Sequence, residues 1–551
     1  MKKIVLLAYI SSSIILGQVS SKASGPEKNK TIFLAAPEGD TTYTFSSKYA
    51  LSASTIPGSK VTVNGKEFKI YPSGAFAGLL SLQDGLNLFS INSVLPSGDT
   101  LKKDFIIFRK VPSNTLPADS LAIESAGIEP SKDLWLDAGD VLNVRFKGTP
   151  GCKASFMNGI EMRELSTAEA NGIGGIYQGV YRIKYGEKLK DESIEFSLTD
   201  KSGKTITCKS KGKVTVKEEE FPIVGITKGD RPYLNFGLGE DRLGGAKLGF
   251  LCPGVKLKIA GKVGNQYKIS LAGNQQAWIP EDQVDLLPRG TFLPNSLTSS
   301  WSVYGDEKYD YISVSLNERL PFTSIQDPEN KRIIVDLHGA AANTNWITQH
   351  LTTKEIKNVY YEVPTEGLFR IIIELKHRQN WGYAMDYSGN NFVIKVKHQP
   401  EKLKLGSLTF VLDAGHGGTN LGAVGATSAR EKDINLSTVY QIKELLENEG
   451  AKVILTRKDD TYSTNNERMK TILNSNADIL ISIHSNSIGY SSDPEKVKGI
   501  STYYKHICFR PLSTFIYNEV LKTGLEPFGN VGNFNFTLNS PTEIPNALVE
   551  L

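Results

Sequence analysis

Two apolar segments near the end of the chain each lead into a histidine, and this pattern constrains the fold more than any other feature. Residues 408–412 run through Asp413 into a glycine loop that carries His416, and residues 479–483 end at His484. A third apolar run, 547–549, ends at Glu550. Short apolar runs rich in β-formers predict buried strands, and open α/β sheets bind ligands beyond the carboxyl ends of their strands. The sequence therefore predicts a site where these three side chains meet.

The chain around these segments alternates between strand and helix patterns. We expect a helix with Asp433 as its N-cap and Gly450 as its end, then a strand over 453–456 and a second helix through Arg468 and Ile472. Strands that alternate with helices indicate a mainly parallel sheet covered on both faces. We therefore expect a C-terminal α/β domain over residues 406–551, preceded by a linker over 399–405.

The rest of the 551-residue chain is too long for one core and reads as a series of all-β modules. The order Pro-Gly, Asn-Gly, Gly-x-aromatic-x-Gly occurs twice, about 95 residues apart. These two segments, 30–112 and 113–220, loosely resemble bacterial immunoglobulin-like sandwiches. Residues 221–290, with a Trp-x-Pro corner at Trp278, resemble a bacterial SH3-like barrel. Residues 291–398 resemble the AMIN domain, a small β-fold that localises periplasmic amidases to the wall.

The glycine-rich stretch 237–245 lacks the strand-to-helix setting and the spacing of a dinucleotide-binding fingerprint. We interpret it as a mobile loop.

The N-terminus has the pattern of an export signal. Lys2-Lys3 is followed by an apolar stretch over 4–16 and by the small-x-small sequence that ends at Ala23. This resembles a secretory signal peptide over 1–23. No other stretch approaches the roughly 20 apolar residues that a membrane span needs. We expect an exported protein without a membrane span.

Charge and cysteine content narrow the function classes. The net charge of +4 is small for this length, and no basic stripe indicates nucleic-acid binding. Cys152 and Cys208 fall in one β-module and could pair; two separate buried thiols are the alternative. Cys252 and Cys508 are expected in cores, and the absence of a CxxC pair argues against a cysteine metal site.

Glu431 completes a ligand set at the predicted edge. It follows His416 by 15 positions, at the loop-to-helix junction of the same unit. Two imidazoles and one carboxylate with an open position form the ligand set of a catalytic zinc site, which leaves Glu550 to relay a proton. Each residue also has an interpretation without a metal. A histidine that follows a strand can be a polar residue with its hydrogen bonds made within the protein, and Glu431 can stabilise the N-terminus of a helix through the helix dipole.

Other polar residues are expected outside this set. Arg457 and Glu467 are expected in a surface or supporting network. The remaining histidines are expected at surface or packing positions, with a substrate-side role as an alternative for the last of them: His338, His350, His377, His398 and His506.

Four blocks of sequence together resemble the zinc-dependent N-acetylmuramoyl-L-alanine amidases of type 3. They are the segments 413–418, 431–433, 482–486 and 546–550. The resemblance implies that His416, Glu431 and His484 bind Zn²⁺ and that Glu550 is the catalytic carboxylate. It implies hydrolysis of the amide between the lactyl group of N-acetylmuramic acid and L-alanine of the peptidoglycan stem peptide. The segment from 501 to 543 resembles the Bacteroidota branch, which implies a Gram-negative periplasm.

The resemblance also sets alternatives. The family continues past its catalytic glutamate, whereas this chain ends at Leu551, so we expect a catalytic domain truncated at its C-terminus. One alternative is a wall-binding scaffold with an inactive amidase domain; another is a zinc peptidase or deacetylase acting on wall substrates. An activator or cell-division protein is a further candidate partner beside peptidoglycan.

Overall fold

Among the described residues the fold is mostly β, and the α-helices lie in the C-terminal domain. The computed structural model describes residues 31–110, 115–217, 221–239 and 243–551. The expected signal peptide over 1–23 lies outside the described residues. Four β-modules, defined here as first (31–110), second (115–217), third (221–290) and fourth (291–398), precede the C-terminal domain (406–551). In the described residues no helix is long and apolar enough to cross a membrane.

The first β-module is a sandwich of two sheets. A three-stranded sheet in the order β1-β3-β6 faces a five-stranded sheet in the order β2-β8-β7-β4-β5. Tyr49 and Leu51 from one sheet pack with Ile91 and Phe105 from the other. The strands are β1 (Phe33–Ala36), β2 (Thr41–Thr44), β3 (Lys48–Ser54), β4 (Lys60–Val63), β5 (Lys66–Phe68), β6 (Ala75–Ser81), β7 (Gly85–Val94) and β8 (Thr100–Arg109).

The second and third β-modules share one continuous sheet. β10 pairs in parallel with β16 of its own module and antiparallel with β20 of the next, so hydrogen bonding crosses the expected boundary at residue 220. The strands of the second module are β9 (Ile123–Glu129), β10 (Leu134–Leu136), β11 (Val141–Gly148), β12 (Lys153–Phe156), β13 (Ile160–Glu164), β14 (Ile176–Arg182), β15 (Glu192–Thr199) and β16 (Thr205–Val216). Those of the third are β17 (Ile223–Thr227), β18 (Tyr233–Asn235), β19 (Lys247–Phe250), β20 (Lys256–Val263), β21 (Gln266–Ser270), β22 (Gln276–Pro280) and β23 (Val284–Leu286).

The fourth β-module shares its core with the third. One cluster of buried residues runs from Leu234 in the third module to Val396 in the fourth, so the two modules pack as neighbours. The strands are β24 (Ser296–Leu297), β25 (Trp301–Gly305), β26 (Tyr309–Val314), β27 (Phe322–Asp327), β28 (Arg332–His338), β29 (Ala340–Ala341), β30 (Ile347–Gln349), β31 (Ile356–Thr365), β32 (Leu368–Leu375), β33 (Tyr383–Ser388) and β34 (Asn391–Lys397).

The C-terminal domain is built on a six-stranded sheet in the order β36-β35-β37-β40-β38-β39. The first four strands in that order pair in parallel, and β38 pairs antiparallel with β40. The strands are β35 (Thr409–Ala414), β36 (Lys452–Leu455), β37 (Ile479–His484), β38 (Ile500–Tyr503), β39 (Pro527–Val531) and β40 (Asn546–Glu550). The helices are α1 (Glu431–Asn448), α2 (Asn465–Asn474) and α3 (Arg510–Leu521).

Helices cover both faces of this sheet. On one face, Val439 of α1 and Ile516 of α3 pack against Phe410 and Ile481. On the other face, Ile472 of α2 packs with Val411 and Leu480. The central strands are therefore buried on both sides, which explains their unbroken apolar sequence.

The start of α1 differs from the expectation. Asp433 was expected as the N-cap, but that prediction is wrong: Arg430 is the N-cap and Glu431 is the first helical residue. Asp433 lies in the first turn, where a carboxylate also suits the helix dipole. The earlier start matters because it carries Glu431 towards the strand edge.

The four cysteines are all free thiols. Of the two possibilities that the sequence leaves open for Cys152 and Cys208, a disulfide or separate thiols, the structure has separate thiols. Both are partly buried and contact the core of the second module. Burial raises the pKa of the Cys208 thiol. Cys252 and Cys508 are buried, as expected.

Candidate metal centre

The two histidines reach one point because they follow adjacent parallel strands. β35 and β37 pair with Ala414 opposite Ile483, so His416 and His484 emerge at the same carboxyl edge. Glu431, the first residue of α1, approaches from above that edge. The structure thus brings together the three residues that the sequence predicts as ligands.

One atom from each of these three side chains could bind a single ion. The candidate ligand atoms of His416, Glu431 and His484 all lie within 4.8 Å of one another. Nε2 of His416 and Nδ1 of His484 each lie 3.1 Å from Oε1 of Glu431. His484 and Glu431 are buried, whereas His416 is partly exposed. The cluster is therefore open on the His416 side.

A contact on the side of the ring away from Glu431 fixes the orientation of His416. Its Nδ1 lies 2.9 Å from Oδ1 of Asn420, which leaves Nε2 facing Glu431. Its backbone has a φ of +62°, a left-handed conformation that residues other than glycine rarely adopt and that often accompanies a functional site. Hydrogen bonding to Glu431 raises the pKa of His416.

The Glu431 carboxylate is held in its charged form. Backbone N–H groups of Ala423 and Ser485 donate to it at 2.7 and 3.0 Å, and Asn435 Nδ2 donates at 3.3 Å. Burial alone would raise the pKa of Glu431, but the hydrogen bonds from His416, His484 and the backbone hold it well below its usual range. A buried, ionised carboxylate beside two imidazoles provides the negative charge that a cation needs.

The loops around the cluster leave no room for larger residues. A Cβ atom on Gly415 would lie 2.3 Å from Cε1 of His484. A Cβ atom on Gly422 would lie 2.5 Å from Oε2 of Glu431. Both glycines therefore let the backbone pass directly against the candidate ligands, which fits a preformed metal cradle.

A buried charge network supports the loop that carries His416. Asp413 accepts hydrogen bonds from Arg468 at 2.7 Å and from the hydroxyls of Thr456 and Ser482 at 2.6 Å each. Burial alone would raise the pKa of Asp413, but these partners hold it below its usual range. Arg468 also donates to the carbonyls of Ala414 and His416. The network fixes the path of the backbone into the site.

Arg457 and Glu467 have different roles in this support. Arg457 is buried and donates to the carbonyls of Ala414, Gly415 and Lys432, so it belongs to the supporting network. Glu467 forms a reciprocal capping box with Thr464 at the start of α2, away from the ligands. The sequence predicts a surface or supporting role for both residues but does not assign this role to Asp413. The signal for Asp413 is a carboxylate within an apolar strand.

Glu550 lies at the same edge but outside the three-residue cluster. It is the last residue of β40 and pairs in register with His484 of β37 and Ser501 of β38. Its charge contributes to the raised pKa of His416. Its side chain is partly exposed, and the residue lies at the end of the strand next to the one that carries His484.

An aromatic wall, defined as Tyr503, Phe534 and Phe536, borders the cluster and was missed by sequence analysis. The Phe536 and His484 rings meet edge to face at 5.6 Å between centroids. Phe534 stacks on Phe536 at 5.7 Å, and Tyr503 packs on Phe534 at 4.4 Å. All three are partly exposed. Alternating aromatic residues at 534 and 536 were the signal that could have revealed the wall.

The remaining histidines lie elsewhere in the molecule. His338 and His398 are buried in the fourth β-module, His350 is exposed, and His377 lies 2.7 Å from Glu355. Nε2 of His398 lies 2.8 Å from Asp310. His506 is partly buried and donates to the carbonyl of Ser540 at 2.8 Å. Burial lowers the pKa of His506 to about 4. None of these residues belongs to a metal-binding group of the described residues.

Comparisons with known proteins place the cluster in a matched region. Residues 410–551 match the family model described as N-acetylmuramoyl-L-alanine amidase. The chain is 34% identical over 164 residues to the probable cell wall amidase LytH of Staphylococcus aureus, covering 29% of this chain and 53% of LytH. It thus spans about half the length of the curated relatives it matches.

Two solved structures also match part of this chain. The catalytic domain of CwlV, an N-acetylmuramoyl-L-alanine amidase from Bacillus (Paenibacillus) polymyxa var. colistinus, is 31% identical, with 26% of this chain and 79% of that chain covered and a TM-score of 0.24. The CwlD amidase from Clostridioides difficile, solved with the GerS lipoprotein, is 33% identical, with 26% and 81% covered and a TM-score of 0.24. All four predicted site residues fall within the range 410–551.

Proposed function

We propose that this chain, whose residues 410–551 match the family model described as N-acetylmuramoyl-L-alanine amidase, hydrolyses peptidoglycan. The bond cleaved is the amide between the lactyl group of N-acetylmuramic acid and L-alanine of the stem peptide. The observation that carries the proposal is the convergence of His416, Glu431 and His484 within 4.8 Å inside the matched region.

The cofactor in this proposal is zinc, held by those three residues. The donor set fits the ion: two imidazole nitrogens and one buried carboxylate match a catalytic zinc site with an open position. Asn420 behind His416 and the backbone N–H groups on Glu431 resemble the outer contacts that orient zinc ligands. A bound zinc ion would supply Lewis acidity to the scissile carbonyl and to a water molecule.

Glu550 is the proton carrier in the proposed mechanism. Its carboxylate would take a proton from the attacking water and return it to the departing amine nitrogen of L-alanine. The C–N bond breaks as the new C–O bond forms, which leaves a lactyl carboxylate and a free amino terminus. The placement of Glu550 at the strand edge beside His484 supports this role.

The setting of the reaction is part of the proposal. Peptidoglycan as substrate and the export pattern over 1–23 together favour a location outside the cytoplasm, which we take to be the periplasm of a Gram-negative, Bacteroidota-like cell. The four β-modules would localise the enzyme to the wall, as SH3-like and AMIN-like modules would. An activator or cell-division protein is the further partner in this proposal.

Product analysis tests the proposal. Purified protein is incubated with zinc and peptidoglycan sacculi, and soluble products are identified by mass and N-terminal residue. We expect free stem peptides that begin with L-alanine, and no release by chelator-treated protein. Release of acetate or of internal peptide fragments with intact lactyl-alanine bonds would instead indicate a deacetylase or peptidase. Sacculus binding without soluble peptide would indicate a scaffold.

A further inference from the structure

Asn535 links the aromatic wall to the third β-module. Its Nδ2 donates to the carbonyls of Leu243 and Gly245 at 3.2 and 2.8 Å. Its Oδ1 accepts a hydrogen bond from the backbone N–H of Lys247 at 3.0 Å. These partners lie in and just beyond the stretch 237–245 that sequence analysis interpreted as a mobile loop; residues 240–242 of that stretch lie outside the described residues.

The chemistry of this contact requires a primary amide. Two N–H donors meet two backbone carbonyls while the amide oxygen meets a backbone N–H. An aspartate would place a carboxylate against both carbonyls, and an alanine would leave all three backbone groups without this partner. The side chain is partly buried, so these losses would not be fully replaced by water.

The same residue stands between the two phenylalanines of the wall. Phe534 and Phe536 are its chain neighbours, they stack on each other, and Phe536 packs against the candidate ligand His484. A second contact holds the same segment further along, since Arg231 of the third β-module lies 3.1 Å from Glu543. The segment that forms the wall is thus attached to a module outside the C-terminal domain.

We propose that Asn535 is a positioning residue, through which the third β-module holds the aromatic wall against the substrate beside the metal centre. The wall offers partly exposed aromatic rings, and its ligand would be an apolar face of the substrate on one side of the scissile amide. This inference rests on the proposed amidase function. It assigns to the third β-module a part in substrate binding rather than in localisation alone.

Steady-state kinetics of Asn535 variants tests the proposal. We expect Asn535→Ala and the near-isosteric Asn535→Asp to raise KM about tenfold while kcat falls less than about threefold, because binding is lost and the reacting groups are not. Zinc content should stay close to wild type, whereas the thermal midpoint should fall slightly because backbone groups around position 535 lose their partners. The matched control is Lys470→Gln, which breaks an exposed ion pair to Asp230 of the same module without touching the wall; its KM should be unchanged.

A double-mutant cycle separates positioning from a general structural role. If Asn535 acts through the wall, Asn535→Ala should add little to the KM of Phe536→Leu, whereas independent effects would multiply. Fully multiplicative effects, an unchanged KM in both Asn535 variants, or loss of zinc in both would overturn the proposal.

Kinetics with shortened substrates identify which group of the substrate contacts the aromatic wall. A KM effect that disappears with a shortened stem peptide places peptide on the wall, and one that disappears with a shortened glycan places sugar there. An effect kept with both locates the contact at the muramoyl-alanine group. Absence of turnover in the wild-type protein would contradict the proposed function, whereas normal wild-type turnover with unaffected Asn535 variants contradicts only this inference.

Discussion

The guanidinium of Arg468 lies 2.7 Å from the carboxylate of Asp413, and both side chains are almost fully buried behind the loop that carries His416. Buried charges are stable only as partners, because each alone would lose its hydration without compensation. The pair therefore ties the stability of the domain to the geometry of the candidate metal centre.

Asp413→Ala should destabilise the C-terminal domain by about 3–5 kcal/mol, because Arg468 is left as an uncompensated buried charge. Chemical denaturation measures the effect. The unfolding transition of the C-terminal domain is recognised as the one that added zinc shifts. The control is Lys522→Ala, which removes the ion pair between the exposed Lys522 and the partly buried Glu519 and should cost about 1 kcal/mol or less. Equal costs for the two variants would contradict the role of the buried pair.

His416→Ala should abolish stoichiometric zinc binding, because one of three ligands is lost. Metal analysis after dialysis against trace zinc is the measurement. His350→Ala, at an exposed histidine outside the cluster, should bind zinc like the wild type. Full zinc content in His416→Ala would remove this residue from the ligand set.

Glu550→Gln should keep zinc and lose turnover. The amide is nearly isosteric with the carboxylate but cannot accept and return a proton, so the rate of peptide release should fall by about 10²–10⁴-fold. Metal content and turnover are measured on the same preparation. Normal turnover would show that another group carries the proton.

The predicted ligands could be found from the sequence because strand periodicity and parallel pairing are local signals with one geometric outcome. His416 and His484 each follow an apolar run. Once the two strands are parallel neighbours, the residues that follow them lie at the same edge of the sheet. Asn420 and Asn535 could not be assigned in this way, since one orients a ligand and the other reaches a module almost 300 residues earlier in the chain. Their roles depend on tertiary contacts, which produce no periodic pattern in the sequence.

The start of α1 and the shared sheet were missed for a related reason. Asp433 is the better N-cap by residue preference, but Glu431 is drawn into the helix by its buried contacts with both histidines. The pairing of β10 with β20 joins an edge strand of the second module to the far end of a strand that already pairs with β17 and β21 in the third module. The sequence of neither strand marks this contact.

Gly415→Ala should disrupt the metal centre, whereas Gly425→Ala should not. The new Cβ at 415 would lie 2.3 Å from the His484 ring, while at 425 the nearest atom is 3.6 Å away, on Ala429. We expect zinc affinity to fall at least about tenfold in Gly415→Ala because a ligand is displaced, with no change in Gly425→Ala. Competition with a chromogenic chelator measures both affinities, and equal values would show that His484 can move without cost.

The buried His338 predicts how stability changes with pH. It is 2% exposed, its Nε2 lies 3.1 Å from the Thr323 hydroxyl, and its Nδ1 has no hydrogen-bond partner in the described structure. Burial lowers its pKa from 6.5 to about 4, and the nearby charges of Asp336 and Arg370 act in opposite directions. His338 therefore binds a proton more readily in the unfolded chain than in the folded protein. Its effect on the free energy of unfolding is absent above pH 6.5, and the free energy of unfolding declines as the pH falls from 6.5 towards 4.

His338→Gln should therefore flatten the pH profile of stability. Between pH 7 and pH 5, the wild type should lose roughly 2 kcal/mol more than the variant, even where the variant is less stable at pH 7. His506, whose pKa burial also lowers to about 4, remains in both proteins and leaves a residual slope of the same sign. Denaturant unfolding at the two pH values gives the comparison. His350→Gln, at an exposed site, should keep the wild-type slope; parallel profiles for His338→Gln and wild type would show that His338 titrates alike in the folded and unfolded chain.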